Sequence, residues 1–114
     1  MAMHEMSIAE NLVELIADEA RKQRFRRIRR VRVQLGVLGH VEPEALLFCF
    51  DVVAKGTIGE GADLDVETIP GVGRCAACRR SFAISQRYDL CPACGSHLEM
   101  TAGDELRLTE LEVE

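Results

Sequence analysis

Four of the five cysteines fall in two copies of one spacing, Cys75-Ala76-Ala77-Cys78 and Cys91-Pro92-Ala93-Cys94, with twelve residues between them. Two thiols at i and i+3 in a tight turn reach one metal ion. Two such turns facing each other supply four thiolates in a tetrahedron, the geometry of structural zinc. Gly95, just past the second knuckle, relieves crowding where backbone amides point at the sulfurs. Such a site has no open position, so it serves structure rather than catalysis. A ribbon of roughly 25 residues is too small to build a hydrophobic core, and the metal therefore supplies its folding free energy. A thioredoxin-like redox pair fits poorly, because there are two pairs and neither opens a helix after a strand. Iron suits four thiolates as well as zinc does.

Other residues with metal or proton chemistry are scattered. His4 and Glu5 form a pair at the start of the chain, where termini usually fray and such pairs are solvated. His97, three residues after Cys94, reads as an exposed knuckle residue, a ligand for a second metal, or a pH-responsive group. His40 reads as a polar loop residue. Cys49 lies one helical turn from Leu46 and Val53 and reads as a buried structural thiol.

The elements that must position these groups follow from periodicity. Ser7 with Glu10 forms a capping box, and Ile8, Leu12, Leu15, Ile16 and Ala20 follow at helical spacing. This predicts a helix over residues 7–23, with Arg21, Lys22 and Arg24 complementing its negative end and with His4 and Glu5 ahead of it. Residues 30–38 alternate, with Val31, Val33, Leu35 and Val37 on the buried side and Arg30, Arg32 and Gln34 outward. Pro43 opens a second helix with Leu46, Leu47, Phe50, Val53 and Ala54 as its apolar face, stopped near Gly56. A second strand covers residues 62–67, and Pro70-Gly71-Val72-Gly73 reads as a hinge before the cysteine region. In the last strand, residues 105–114, Leu106 and Leu108 share one parity and Leu111 and Val113 the other. An extra residue near Thr109 and Glu110, a β-bulge, keeps all four on one face.

The bulk numbers bound the class. The 114 residues, 47% hydrophobic and 29% charged, suit a soluble domain with a small appendage. No apolar run reaches the length of a membrane span, and no secretory signal is readable. The expectation is a cytoplasmic protein whose thiols stay reduced. The net charge of −5 is uneven: residues 21–32 hold eight of the fourteen basic residues and no acid, leaving thirteen net negative charges on the rest. That block reads as a solvated helix end plus the outer face of a strand, or as a docking surface.

Taken together, five stretches carry a resemblance: His-Glu-Met-Ser-Ile at residues 4–8, Val-x-Val-x-Leu-Gly at 31–36, Val-Glu-Pro-Glu at 41–44, the two-knuckle ribbon ending Cys-Pro-x-Cys-Gly, and the closing strand at 105–113. The chain resembles the HypA/HybF family of hydrogenase nickel incorporation proteins over residues 3–114. The resemblance implies a nickel metallochaperone that works with a HypB-type nickel-binding GTPase and passes Ni(II) to the [NiFe]-hydrogenase large subunit. It implies nickel bound at Met3, His4 and Glu5 through the His imidazole, the terminal amine and backbone amides. It also implies Zn(II) on Cys75, Cys78, Cys91 and Cys94.

The implied fold is α+β: a small α/β nickel-binding domain of two helices and a mixed sheet of about three strands (residues 1–70 and 103–114), plus a four-cysteine zinc ribbon (71–102). A planar, nitrogen-rich field selects Ni(II) or Cu(II) over zinc. The sequence departs from the family in carrying Met1 and Ala2 ahead of the motif. Trimming of Met1 leaves Ala2-Met3-His4, with His third from a free amine, which resembles the amino-terminal copper/nickel motif and drops Glu5 from the plane. His97 is a further candidate nickel ligand in the untrimmed arrangement, if the ribbon folds back.

The rival reading is a zinc-ribbon module that binds nucleic acid or protein through the basic block. Aromatic residues make up only 4% of the chain, with Phe82 and Tyr88 the pair in the ribbon, which argues against base stacking. No nucleophile–base constellation is visible, so an enzyme is not expected. The expected partners are proteins, without nucleic acid or membrane, and the expected state is a monomer or weak homodimer.

Overall fold

The computed structural model describes residues 2–114, with side chains from His4 onward. The elements run α1 (Ala2–Gln23), β1 (Ile28–Gly36), a 3-10 turn (Val37–Gly39), α2 (Pro43–Ala54), β2 (Asp63–Ile69), β3 (Gly71–Cys75), β4 (Arg80–Ile84), β5 (Glu99–Ala102) and β6 (Leu106–Val113). The chain forms two compact units. The first holds Met1–Val33, Val41–Val66 and Leu108–Glu114; the second holds Gln34–His40 and Glu67–Arg107. One sheet has the order β2-β1-β6, and the other, antiparallel, the order β4-β3-β5, which matches the expected α+β class.

In the first unit α1 and α2 pack on each other, and the core is built from Ala9, Leu12, Ile16, Ile28, Val31, Val33, Leu46, Phe50 and Ala54. Helix α1 starts five residues before the expected Ser7 cap, so His4 and Glu5 lie in its first turn rather than ahead of it. The reason lies in the packing stripe. Glu5, Ala9, Leu12 and Ile16 are all buried at helical spacing, so the buried face extends back to Glu5, and a carboxylate suits the positive end of a helix. Leu15, expected on that stripe, is 48% exposed. Helix α2 begins at Pro43, as expected, with Glu42 as its N-cap. Its buried positions are Leu46, Cys49, Phe50 and Ala54, while Leu47 is partly exposed. Cys49 is buried at 2% exposure, as read from its spacing.

Strand β1 accounts for three of the eight basic residues of the block. Arg30 and Arg32 reach Asp65 of β2 at 3.5 and 3.6 Å, Arg32 also pairs with Glu110 of β6 at 3.0 Å, and Arg29 pairs with Glu114 at 2.8 Å. Arg21 and Lys22 pair with Asp18 and Glu19 one turn back on α1. In β6, Leu108 and Leu111 are half-buried at a spacing of three, whereas Val113 is exposed. The change of parity between Leu108 and Leu111 is the slip expected near Thr109 and Glu110, but it keeps only these two of the four apolar residues covered.

In the second unit the chain leaves β1 through Gly36, whose N–H donates to the Glu105 carbonyl at 2.8 Å. A Cβ at this position would lie 2.1 Å from the Gly103 carbonyl carbon and oxygen, so only glycine admits this approach. Beyond it the strand pattern breaks. Val37 turns outward at 47% exposure, and Leu38 is the buried residue of the 3-10 turn. Residues 71–73 are not a hinge. They belong to β3, the middle strand of its sheet, paired antiparallel with β4 and β5 and bulged between Val72 and Gly73. Their glycines provide room, not freedom: a Cβ on Gly71 would meet the Ile84 carbonyl oxygen at 2.5 Å, and one on Gly73 the Leu98 Cβ at 3.0 Å.

Candidate metal centres

Strand β3 ends on Cys75, and the turn that follows carries Cys78. Arg79 closes this knuckle in the left-handed conformation (φ 57°), its N–H donating to the Cys75 carbonyl at 2.8 Å. The second knuckle repeats the geometry: Gly95 (φ 79°) donates its N–H to the Cys91 carbonyl at 2.8 Å. Leu90 and His97 form a bridge that brackets this second turn. The two knuckles are thus one local structure used twice, with a glycine in one copy and an arginine in the other at the strained position.

The four sulfurs lie within 4.8 Å of one another, with Cys75 Sγ to Cys94 Sγ at 3.7 Å and Cys78 Sγ to Cys91 Sγ at 3.8 Å. A tetrahedron with metal–sulfur bonds of about 2.3 Å has edges of roughly 3.8 Å, so the separations fit one four-thiolate ion and not a pair of disulfides. Burial is graded across the cluster. Cys75 and Cys91 are buried, Cys78 is intermediate, and Cys94 is exposed.

Hydrogen bonding sorts the thiols. The Ser96 hydroxyl, then the Ser96 backbone N–H, bring Cys94 down to about 6. At Cys91 burial pushes upward, but the N–H groups of Cys94 and Ala93 prevail and its pKa is lowered. Hydrogen bonds to Cys94, Cys91 and Cys75 push Cys78 up to about 12. Without a cation the four cannot all ionise, so metal binding must expel protons. Ser96 was not singled out in the sequence; its position two residues beyond a ligating cysteine was the only signal.

At the other centre, His4 is exposed on the first turn of α1. Glu5 points inward at 3% exposure; its Oε2 accepts from the Glu42 N–H at 3.2 Å, and its Oε1 is buried with no partner among the described residues. The carboxylate therefore ties the start of α1 to the start of α2. Glu42 was read only as a helix start. The stripe, on which Glu5 precedes Ala9 by one turn, signals the burial of Glu5 but not its partner. Met1 and the side chains of Ala2 and Met3 lie outside the described residues. His97 is exposed and is not part of the thiol cluster.

A family model described as "Hydrogenase/urease nickel incorporation, metallochaperone, hypA" matches residues 3–113. The chain belongs to the HypA family. Among curated HypA-family relatives, the hydrogenase maturation factor HypA of Methylocella silvestris is 54% identical over 113 residues, covering 98% of this chain and all of the relative. That of Azotobacter vinelandii is 50% identical with the same coverage. A solution structure of the HypA nickel metallochaperone from Helicobacter pylori superposes with a TM-score of 0.71 at 25% identity, covering 96% of each chain. A second HypA solution structure gives 0.74 at 27% identity, covering 98% of this chain and 97% of that one. Membership of the HypA family makes this chain a nickel-incorporation factor for hydrogenase maturation, with a four-cysteine metal-binding site.

Proposed function

We propose that this protein carries Ni(II) on its N-terminus and, with a HypB-type GTPase, delivers it to the [NiFe]-hydrogenase large subunit, while Zn(II) on Cys75, Cys78, Cys91 and Cys94 holds the ribbon together. Zinc, when bound, supplies a closed tetrahedral clamp and no catalytic position. The protein acts by transfer, not by turnover of a substrate.

The observation that carries the reading is the exposed His4 imidazole in the first helical turn of a HypA-family chain. The N–H groups of Met3, His4 and Glu5 lie within the first four positions of α1 and have no intrahelical acceptor. These amides are available, but helical N–H groups run parallel to the axis and do not converge on one point. A planar chelate of amide nitrogens and imidazole therefore requires the first turn to unwind, and release lets it rewind. In the untrimmed arrangement Met3, His4 and Glu5 contribute, with His97 as a further donor if the ribbon folds back. With Met1 removed, the Ala2 amine, the Met3 and His4 amides and the His4 imidazole fill the plane.

The test is nickel titration of the intact protein and of His4→Ala, with the N-terminal mass determined. The parent should show the visible band of planar Ni(II), and His4→Ala should lose it. A His4→Ala protein that binds nickel as the parent does would sink the proposal.

A further inference from the structure

Within the first unit, β6 stands at an open edge of its sheet. Its last residue closes on the segment before β1: the Arg26 N–H donates to the Glu114 carbonyl at 3.1 Å, and the Glu114 N–H to the Arg27 carbonyl at 2.9 Å. Beside β6 runs a groove of about 300 Å³, lined by Glu19 and Gln23 of α1, by Phe25, and by Leu108, Thr109, Glu110, Leu111 and Val113. Of the eight cations in residues 21–32, five have carboxylate partners. Among the described residues, Arg24, Arg26 and Arg27 have none within ion-pair distance, and all three are exposed. They flank Phe25 in the chain and sit where β6 ends. A strand edge, a groove of mixed polar and apolar lining along it and three exposed guanidiniums without ion-pair partners at one end therefore coincide, of which Arg27 alone feels the Glu114 carboxylate.

We propose that this edge docks an extended segment of a partner protein, which adds to β6 as a further strand. The segment's alternate apolar side chains reach the Phe25, Leu108, Leu111 and Val113 part of the groove, and its carboxylates cluster at the end beside Arg24, Arg26 and Arg27. Backbone groups of an edge strand are a template for such addition, and alternate side chains then set the specificity. In a chain of net charge −5, an acidic partner is repelled at long range, and a local basic cluster fixes where it lands. Two other occupants fit less well. A second copy paired through its own β6 would set Glu110, Glu112 and Glu114 beside their equivalents. A nucleic acid would run its phosphates along the same three carboxylates. The inference is independent of the nickel reading.

The test uses the full-length protein and fluorescently labelled eight-residue peptides that alternate Thr and Val and carry three Glu at one end, in either orientation. One of the two should bind by anisotropy, and binding should weaken with salt. The triple variant Arg24→Ser, Arg26→Ser, Arg27→Ser should bind it at least tenfold more weakly while melting at the parent's temperature. Replacing the peptide's Glu by Lys, or N-methylating the amides that face β6, should abolish binding. The proposal is overturned if neither acidic peptide binds, if the Lys peptide or the N-methylated peptide binds as well as its parent, or if the triple variant binds unchanged. Competition by duplex DNA through the same arginines would overturn it in favour of nucleic acid. Self-association that excludes the peptide would do so in favour of a second copy.

Discussion

Four thiols from two knuckles converge on one point in the second unit, whereas in the first unit a single imidazole stands exposed on the opening turn of a helix. Everything about the first arrangement resists release. The sulfurs come from turns locked by backbone hydrogen bonds, two of the four are buried, and the ribbon around them lacks the apolar mass to fold alone. The second arrangement puts one side-chain donor at a chain end, and its further donors are helix-start amides that only unwinding can converge. A resident ion and a cargo ion call for opposite designs, and on the proposed function the two units supply one of each.

Breaking the thiol centre should give the largest effect. Cys75→Ser is expected to lose the stoichiometric metal and to unfold the ribbon, whose stability is metal-binding free energy. The far-UV helical signal should persist, because both helices lie in the first unit. Cooperative loss of both signals on chelation would dissolve the distinction between the two centres. Next in size, His4→Ala should weaken nickel binding by at least a hundredfold and leave bound zinc and the melting temperature unchanged, since its side chain is exposed. Metal analysis of the two variants side by side should show each losing one ion and keeping the other.

Glu5→Ala removes the buried acceptor of the Glu42 N–H and should destabilise the first unit by about 1–3 kcal/mol, read by urea unfolding followed through helical ellipticity. Zinc content should not change. Arg79→Gly would make the two knuckles alike. Relief of a left-handed non-glycine residue is worth about 1 kcal/mol, so a chelator competition should show zinc held several-fold more tightly. The smallest effect concerns Asp89. The Ser85 backbone N–H, against opposing burial and with help from the Gln86 N–H, holds its carboxyl below the usual range. A lowered folded pKa gives stability that is complete above the ordinary carboxylate range and is lost as pH falls through the folded value. Asp89→Asn should therefore lower the ribbon's melting temperature slightly at neutral pH, approach the parent at acid pH and so flatten the acid limb of the melting profile.

The cysteine centre was fully legible, because ligand type and spacing determine such a site almost regardless of the surrounding fold. The helices and the first strand were legible as well, since Val31, Val33 and Leu35 alternate and Leu46 and Phe50 recur at one turn. The errors arose where local signals have two meanings. Ser7 with Glu10 has the form of a cap, but burial of Glu5 carried the helix past it. Gly71 and Gly73 have the composition of a hinge, but their lack of Cβ atoms is what lets the central strand sit against Ile84 and Leu98. Both outcomes depend on residues distant in sequence, which no local window contains. The tie from Glu5 to Glu42, 37 residues apart, is invisible for the same reason.

The position of β6 after the ribbon in chain order has a consequence for how the first sheet closes. Its partner β1 is complete by residue 36, yet the sheet cannot close until residues 106–113 have emerged. The intervening polypeptide includes the whole ribbon. An ion that clasps Cys75 to Cys94 removes roughly a quarter of that segment from the loop that must be closed, less than the halving that is worth about 0.6 kcal/mol of closure entropy. A metal bound early on the four cysteines would then shorten, modestly, the tether over which β6 finds β1.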